Sequence, residues 1–225
     1  MTAPALAAEA LLKTYGDAPA LGPVDVAVKA GERAVLIGHN GSGKTTLLRL
    51  GAGLLDPTGG TISVCGHAAG TLDARAAMSY LGDQPVFYDD LSVREHLEYI
   101  ARLHGAGDWE PAAAELLDRL GLAERADELP TTFSRGLRQK AAIAIAFIRP
   151  FELLLVDEPF VGLDRAGREA LLALVDEAHE RGAAMLIATH ELQTVAGAQR
   201  VIALRDGSIV FDGPPSEADT DTLVR

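Results

Sequence analysis

The chain has 225 residues, 48% hydrophobic and 23% charged, which suits one sizeable core with at most one inserted subdomain. A formal net charge of −12 argues against a nucleic-acid backbone as partner, because such binding draws on clustered Lys and Arg. Cys65 is the only cysteine, which excludes an intrachain disulfide, and no run approaches the roughly 18 apolar residues of a membrane-spanning helix. The first residues, MTAPALAAEALLKTYG, have no basic stretch before their apolar positions and include Glu9, so they make a poor signal peptide. A soluble chain in a reducing cytoplasm is the expectation.

Residues 11–15, 24–28 and 34–37 read as strands, with breaks at Gly16, Pro19, Gly22 and Pro23. Tyr15 ends the first strand, where its ring could stack on a purine or simply pack. Residues 38–46, GHNGSGKTT, then fit G-x-x-x-x-G-K-[ST] directly after a buried strand. Gly38, His39, Asn40, Gly41, Ser42 and Gly43 form the turn that points backbone N–H groups at phosphate oxygens. The helix starting near Lys44 adds the positive end of its dipole. Lys44 can reach the β- and γ-phosphates, the Thr45 hydroxyl is placed to ligate Mg²⁺, and Thr46 can add a phosphate contact. Helical spacing continues over 47–55 and stops at Asp56-Pro57-Thr58-Gly59-Gly60.

A strand over 61–65 leads to His67, read as a solvated loop residue, and 78–81 returns as a strand that ends near Gln84. From 85 to 150 the pattern turns helical. Ser92 and Glu95 form a capping box for a helix through about His104, and Asp108 is a candidate cap for the next, which Gly121 ends. His96 and His104 read as surface residues, since no metal-spaced ligands surround them. After Pro130, Ser134 is a candidate N-cap, and a Ser cap with Gly136 at a helix start is also an anion site. A largely apolar helix over 141–148 follows.

Residues 153–159, LLLVDEP, describe a central strand that delivers two carboxylates to the edge of a sheet. Asp157 suits a hold on Mg²⁺, and Glu158 could polarise a water for attack on a γ-phosphate. Asp164 can cap a helix to about Arg181. The strand at 185–188 ends at Thr189-His190, where His190 could touch a γ-phosphate or cap a helix from Glu191. Residues 201–204 and 208–211 flank an Asp206-Gly207 hairpin turn, and 213–225 read as polar and frayed.

Together these motifs resemble the nucleotide-binding domain of ATP-binding cassette transporters over nearly the whole chain. GHNGSGKTT is similar to the Walker A loop, LLLVDEP to Walker B with Glu158 as catalytic residue, and residues 133–140 to the signature motif. Gln84 resembles the Q-loop glutamine that also serves the metal, Gly162-Leu163-Asp164 the D-loop, His190 the switch histidine, and Tyr15 the adenine-stacking aromatic. The signature reads FSRGL where the family has LSGGQ, so Ser134 and Gly136 match while Arg135 and Leu137 depart. The form FSRGLRQK is similar to cassettes of bacterial export systems.

The resemblance implies an α/β fold: a P-loop NTPase core with a mixed sheet, an antiparallel β portion near the N-terminus and an inserted helical subdomain. Residues 1–84 and 151–225 would form the core and 85–150 the subdomain of one ATPase domain. It further implies ATP and Mg²⁺ as cofactors, a second copy or paralogous ATPase subunit that completes an ATP sandwich, and integral membrane permease subunits that carry out substrate movement, in the export direction. The chain would sit in the cytoplasm at the inner face of the cell membrane. A non-transport cassette ATPase and a small P-loop kinase are the alternatives; the first usually carries paired cassettes or coiled-coil insertions, and the second has no use for the signature.

Overall fold

The computed structural model describes residues 3–190 and 197–223. It divides into two compact units, the first made of 1–80, 151–158 and 178–225, the second of 81–150 and 159–177.

In the first unit, β1 (Leu6–Tyr15), β2 (Ala18–Val28), β3 (Arg33–Ile37), α1 (Lys44–Gly51), β4 (Gly59–Val64), β5 (His67–Ala68), α2 (Leu72–Ala77) and β6 (Met78–Leu81) follow in order, β6 ending on the first residue of the second unit. An antiparallel sheet has the order β2-β1-β4-β5. Strand β2 alternates as expected for a half-buried strand: Val24, Val26 and Val28 are buried between exposed Asp25 and Ala27. Strand β1 starts five residues before the expected boundary, because a bulge interrupts its alternation. Ala10 takes φ 45°, the register shifts between Ala8 and Leu11, and Asp25 Oδ1 accepts the Ala10 N–H at 2.7 Å. Two further expectations change. Helix α1 stops at Gly51, where the Ala52 N–H still bonds back to Leu48. His67, expected in a loop, pairs with Val64 in a short edge strand, with its side chain exposed.

The second sheet of this unit uses later segments. After β7 (Leu153–Asp157) come β8 (Ala184–Ala188), β9 (Arg200–Arg205), β10 (Ser208–Gly213) and a four-residue α7 (Thr220–Leu223); the strand order is β10-β9-β3-β8-β7-β6. Strands β9, β3, β8 and β7 are mutually parallel, and β10 pairs antiparallel with β9 through the Asp206-Gly207 turn, both residues at positive φ. All five residues of β3, β7 and β8 are buried, as a parallel sheet covered on both faces requires. Strand β8 lies between β3 and β7. The segments that leave these three strands, at Gly38, Glu158 and Thr189, therefore emerge side by side at one carboxyl edge.

The second unit is helical: α3 (Val93–Leu103), α4 (Glu110–Arg119), α5 (Arg135–Phe147) and the greater part of α6, which is Arg165–Glu180 and precedes β8 in the chain. Both bonds of the Ser92–Glu95 capping box form at α3, a device worth about 1 kcal/mol. Helix α5 starts at Arg135, ahead of the expected 141, because Ser134 caps it by accepting the Leu137 N–H at 3.4 Å. Asp108 does not cap α4; Trp109 takes that position with no side-chain bond, and its ring is buried. His96 is not a surface residue. It is 4% exposed, its Nδ1 stands 2.8 Å from the Ser92 carbonyl, and its Nε2 accepts the Tyr88 N–H at 2.9 Å. Arg119 forks onto Glu177 with bonds of 2.8 and 2.6 Å, tying α4 to α6.

Candidate functional site

The loop after β3 is built by three glycines at positive φ, two of which also have no room for a side chain. Gly38, Gly41 and Gly43 have φ of 150, 87 and 107°, and a Cβ on Gly38 would lie 2.5 Å from Ser42 Oγ and collide with the Leu204 carbonyl. A Cβ on Gly43 would come within 2.9 Å of the Ala20 carbonyl, so β2 packs directly on the loop. The hairpin turn closes it from another side: the Gly207 N–H donates to the Ser42 carbonyl at 3.0 Å, and the Gly22 N–H to the Gly207 carbonyl at 2.7 Å. His39 Nε2 also reaches Asp206 Oδ1 at 3.4 Å, while Asn40 and Gly41 are exposed at the outer rim.

Lys44 opens α1 and is 6% exposed. Its ammonium donates to the Gly38 and His39 carbonyls at 2.7 and 3.1 Å, which holds it inside the loop. Burial pushes its pKa down from the ordinary lysine value, and the carboxylates of Glu158 and Asp157 push it back up. Thr45 and Thr46 follow in the first helical turn, both half-buried. Ser42 Oγ is buried with no hydrogen-bond partner among the described residues.

From β7 come the two acids. Asp157 is fully buried as the last residue of the strand. Glu158 continues the ladder by donating its N–H to the Ala188 carbonyl at 2.9 Å, yet takes φ 47°, a strained choice for a residue with a side chain. That turn leaves the Glu158 carboxylate 2.9 Å from His190 Nδ1 at the end of β8. The helix expected from Glu191 lies outside the described residues. Tyr15 stands at the end of β1, beside the Gly16 turn, with 53% of its surface exposed. The first unit thus brings together Lys44, Asp157, Glu158 and His190 at one sheet edge.

The second unit holds the other named residues. Gln84 is exposed in the segment between β6 and α3. Ser134, Gly136, Leu137, Lys140, Gly162 and Asp164 line a cleft of about 230 Å³. Its floor is tight: a Cβ on Gly136 would lie 2.5 Å from the Gly162 carbonyl, and one on Gly162 would lie 3.3 Å from Arg135 Cγ. Asp164 caps α6 through the Gly167 N–H at 2.9 Å and pairs with Lys140 Nζ, also at 2.9 Å. The Lys140 bond, followed by the Gly167 N–H, holds the Asp164 carboxyl below its ordinary value. Gln139 Nε2 donates to the Pro159 carbonyl at 3.2 Å, again joining α5 to the segment before α6. Gln139 and Lys140 carry no signal in the amino-acid order beyond their place at the end of the signature, in a polar first stretch of α5 that also holds Arg135 and Arg138.

The family model described as ABC transporter matches residues 21–161, more than half of the chain. This chain belongs to the ABC transporter family. Among its relatives in that family, the aliphatic sulfonates import ATP-binding protein SsuB of Pseudomonas entomophila is 37% identical across 92% of this chain and 75% of its own length. The cytochrome c biogenesis ATP-binding export protein CcmA of Xanthomonas oryzae pv. oryzae is 39% identical across 83% of this chain and 87% of its own. A solved ATP-binding subunit of an ABC transporter superposes with a TM-score of 0.91 at 32% identity, covering 97% of each chain. The dimeric cassette MJ0796, bound to ADP and Pi in a post-hydrolysis state, follows with a TM-score of 0.85 at 25% identity, covering 93% and 98%. The chain is accordingly an ATP-binding cassette ATPase with the mixed α/β architecture of that family. Its relatives include both importers and exporters, so the export direction that the signature suggested is one of two found in the family.

Proposed function

We propose that this cassette powers the movement of a substrate by a separate membrane permease, with two copies closing on two ATP molecules. The observation that carries the reading is the convergence of Lys44, Asp157, Glu158 and His190 at one sheet edge. The loop 38–43 would cradle the phosphates with its N–H groups, and Lys44, already loop-bound, would exchange two carbonyls for phosphate oxygens. Glu158 takes the role of polarising the attacking water, and His190 orients its carboxylate across their 2.9 Å contact.

Among the described residues no cluster of three or more His, Cys, Asp or Glu side chains could hold a metal alone. Mg²⁺ is typically held by one or two protein oxygens together with substrate phosphates, and a hydroxyl and a carboxylate are oxygen donors of that kind. Thr45 and the buried carboxylate of Asp157 would hold it from the first unit, and the resemblance adds Gln84. When bound, it would neutralise charge on the β- and γ-oxygens. Tyr15 would stack on the adenine, while Ser134 and Gly136 would serve the ATP of the partner copy; the dimeric state of the solved cassette supports a paired assembly. Asp164, ion-paired and capping, would shape that edge rather than bind nucleotide directly.

No helix among the described residues is long and apolar enough to cross a membrane; in this reading the cassette docks on permease subunits at the cytoplasmic face. The export-like signature and the CcmA relative support outward transport. The test is to express Glu158→Gln in place of the native chain and compare small molecules in cells and medium. Cargo that accumulates inside and declines outside supports export; the reverse pattern supports import. Failure of the tagged chain to copurify with any membrane protein overturns the transport reading.

A further inference from the structure

The exposed ring of Tyr15 has a cation over one of its two faces. Lys13 Nζ stands 5.4 Å from the ring centroid. The two residues lie two apart at the end of β1, and this contact places both side chains on the same side of the strand. The ammonium is itself anchored, donating to the Asp56 carbonyl at 2.7 Å in the segment that follows α1.

That segment grips the strand end at two more points. The Thr58 N–H donates to the Leu12 carbonyl at 2.8 Å, and Thr58 Oγ1 accepts the Thr14 N–H at 3.1 Å. On the far side of the hairpin, β2 packs on the phosphate loop through Ala20 and Gly43. The tip that carries Tyr15 is therefore fixed to the phosphate-loop helix from both strands.

We propose that Lys13 is a positioning residue for the nucleoside: its ammonium, held by the Asp56 carbonyl, clamps one face of the Tyr15 ring and presents the other to adenine. The inference rests on the reading of Tyr15 as the purine-stacking residue. A ring at a hairpin tip has side-chain torsions to immobilise when a base stacks on it. Holding it beforehand removes that ordering cost from nucleotide binding. The cation also offsets the negative π-face of the phenol, which lowers the repulsion a second ring meets on the opposite face. Lys13 acts on the base alone, because the triphosphate is gripped by Lys44 and the loop amides.

The experiment compares the binding of MgATP and of magnesium tripolyphosphate to the full chain by calorimetry. The variants are Lys13→Met, which keeps the apolar stem, Lys13→Arg, which keeps the charge, Tyr15→Ala, and Lys13→Met with Tyr15→Ala. Lys13→Met is expected to weaken MgATP about two- to fivefold, the effect of an exposed cation–π contact, and to leave tripolyphosphate unchanged. Lys13→Arg should restore the affinity, and in the Tyr15→Ala background Lys13→Met should have no further effect. Equal weakening of both ligands, or no change in either, overturns the clamp when Tyr15→Ala by itself weakens MgATP. If Tyr15→Ala leaves MgATP affinity intact, base stacking on Tyr15 has failed, and the role of Lys13 falls with it.

Discussion

His190 Nδ1 and Glu158 Oε2 meet at 2.9 Å although they leave different strands, β8 and β7, and lie 32 residues apart in the chain. The pairing depends on the left-handed turn at Glu158, φ 47°, which redirects the carboxylate just as the strand ends. A residue that merely capped a strand would have no need of that strain.

Glu158→Gln should therefore bind MgATP as well as the native chain does and lose about 10²- to 10⁴-fold in turnover, since an amide fits the space and cannot take a proton. His190→Ala should lose turnover with little change in nucleotide affinity. Steady-state hydrolysis alongside equilibrium binding separates the two quantities. Native turnover in Glu158→Gln would remove it from the chemistry.

Lys44→Ala takes away the one ammonium buried in the phosphate loop. Turnover should drop about a hundredfold or more, the scale for removing a charge-stabilising donor from a closed site. Steady-state hydrolysis beside equilibrium MgATP binding is the measurement, and native turnover in Lys44→Ala would remove Lys44 from the phosphate site.

Gly136→Asp should be inactive, and its cause is partly steric: any Cβ there meets the Gly162 carbonyl at 2.5 Å. If the signature of one copy serves the ATP of the other, mixing this variant with Lys44→Ala creates dimers with one intact site. About half of randomly paired dimers are mixed, so about a quarter of native activity should return if the sites act independently. The readout is hydrolysis against mixing ratio. No recovery at any ratio, in a mixture shown to form mixed dimers, would count against independent sites that the partner copy completes.

The Lys140–Asp164 pair makes a pH-dependent prediction. The folded carboxyl titrates below its ordinary 3.8, so the pair stabilises the fold at pH above that value and loses its effect as pH falls through the folded pKa. Asp164→Asn at neutral pH should cost about 1 kcal/mol, given that 63% of the Asp164 side chain is exposed. Denaturant melts at pH 7 and pH 3 check it: the native–variant gap should narrow in acid. A gap that stays the same at both pH values would point to a contribution independent of charge, such as the cap on the Gly167 N–H.

The loop at 38–46, the β7 acids and the Ser92–Glu95 box were legible in the amino-acid order because each is local: spacing along a few residues decides the structure. The beginning of β1 was hidden, since the bulge at Ala10 breaks alternation with a partner, Asp25, from another strand. The burial of His96 escaped for a similar reason. A histidine with both ring nitrogens satisfied by backbone groups gives no sequence signal, because its partners have no side-chain identity. Lys140 and Asp164 could be named singly, but their pairing belongs to the packing of α5 on the start of α6.

The hairpin turn that closes the phosphate loop has a consequence for synthesis. Strand β3 finds its sheet neighbours in β8 and β9, and the Ser42 carbonyl accepts its bond from Gly207, 165 residues further along the chain. A ribosome that has released the whole GHNGSGKTT stretch has thus made a nucleotide-binding motif without a nucleotide-binding site. The nascent chain cannot close the loop until β8, β9 and the Asp206-Gly207 turn have also been made, because each is a long-range partner of β3 or of the loop itself.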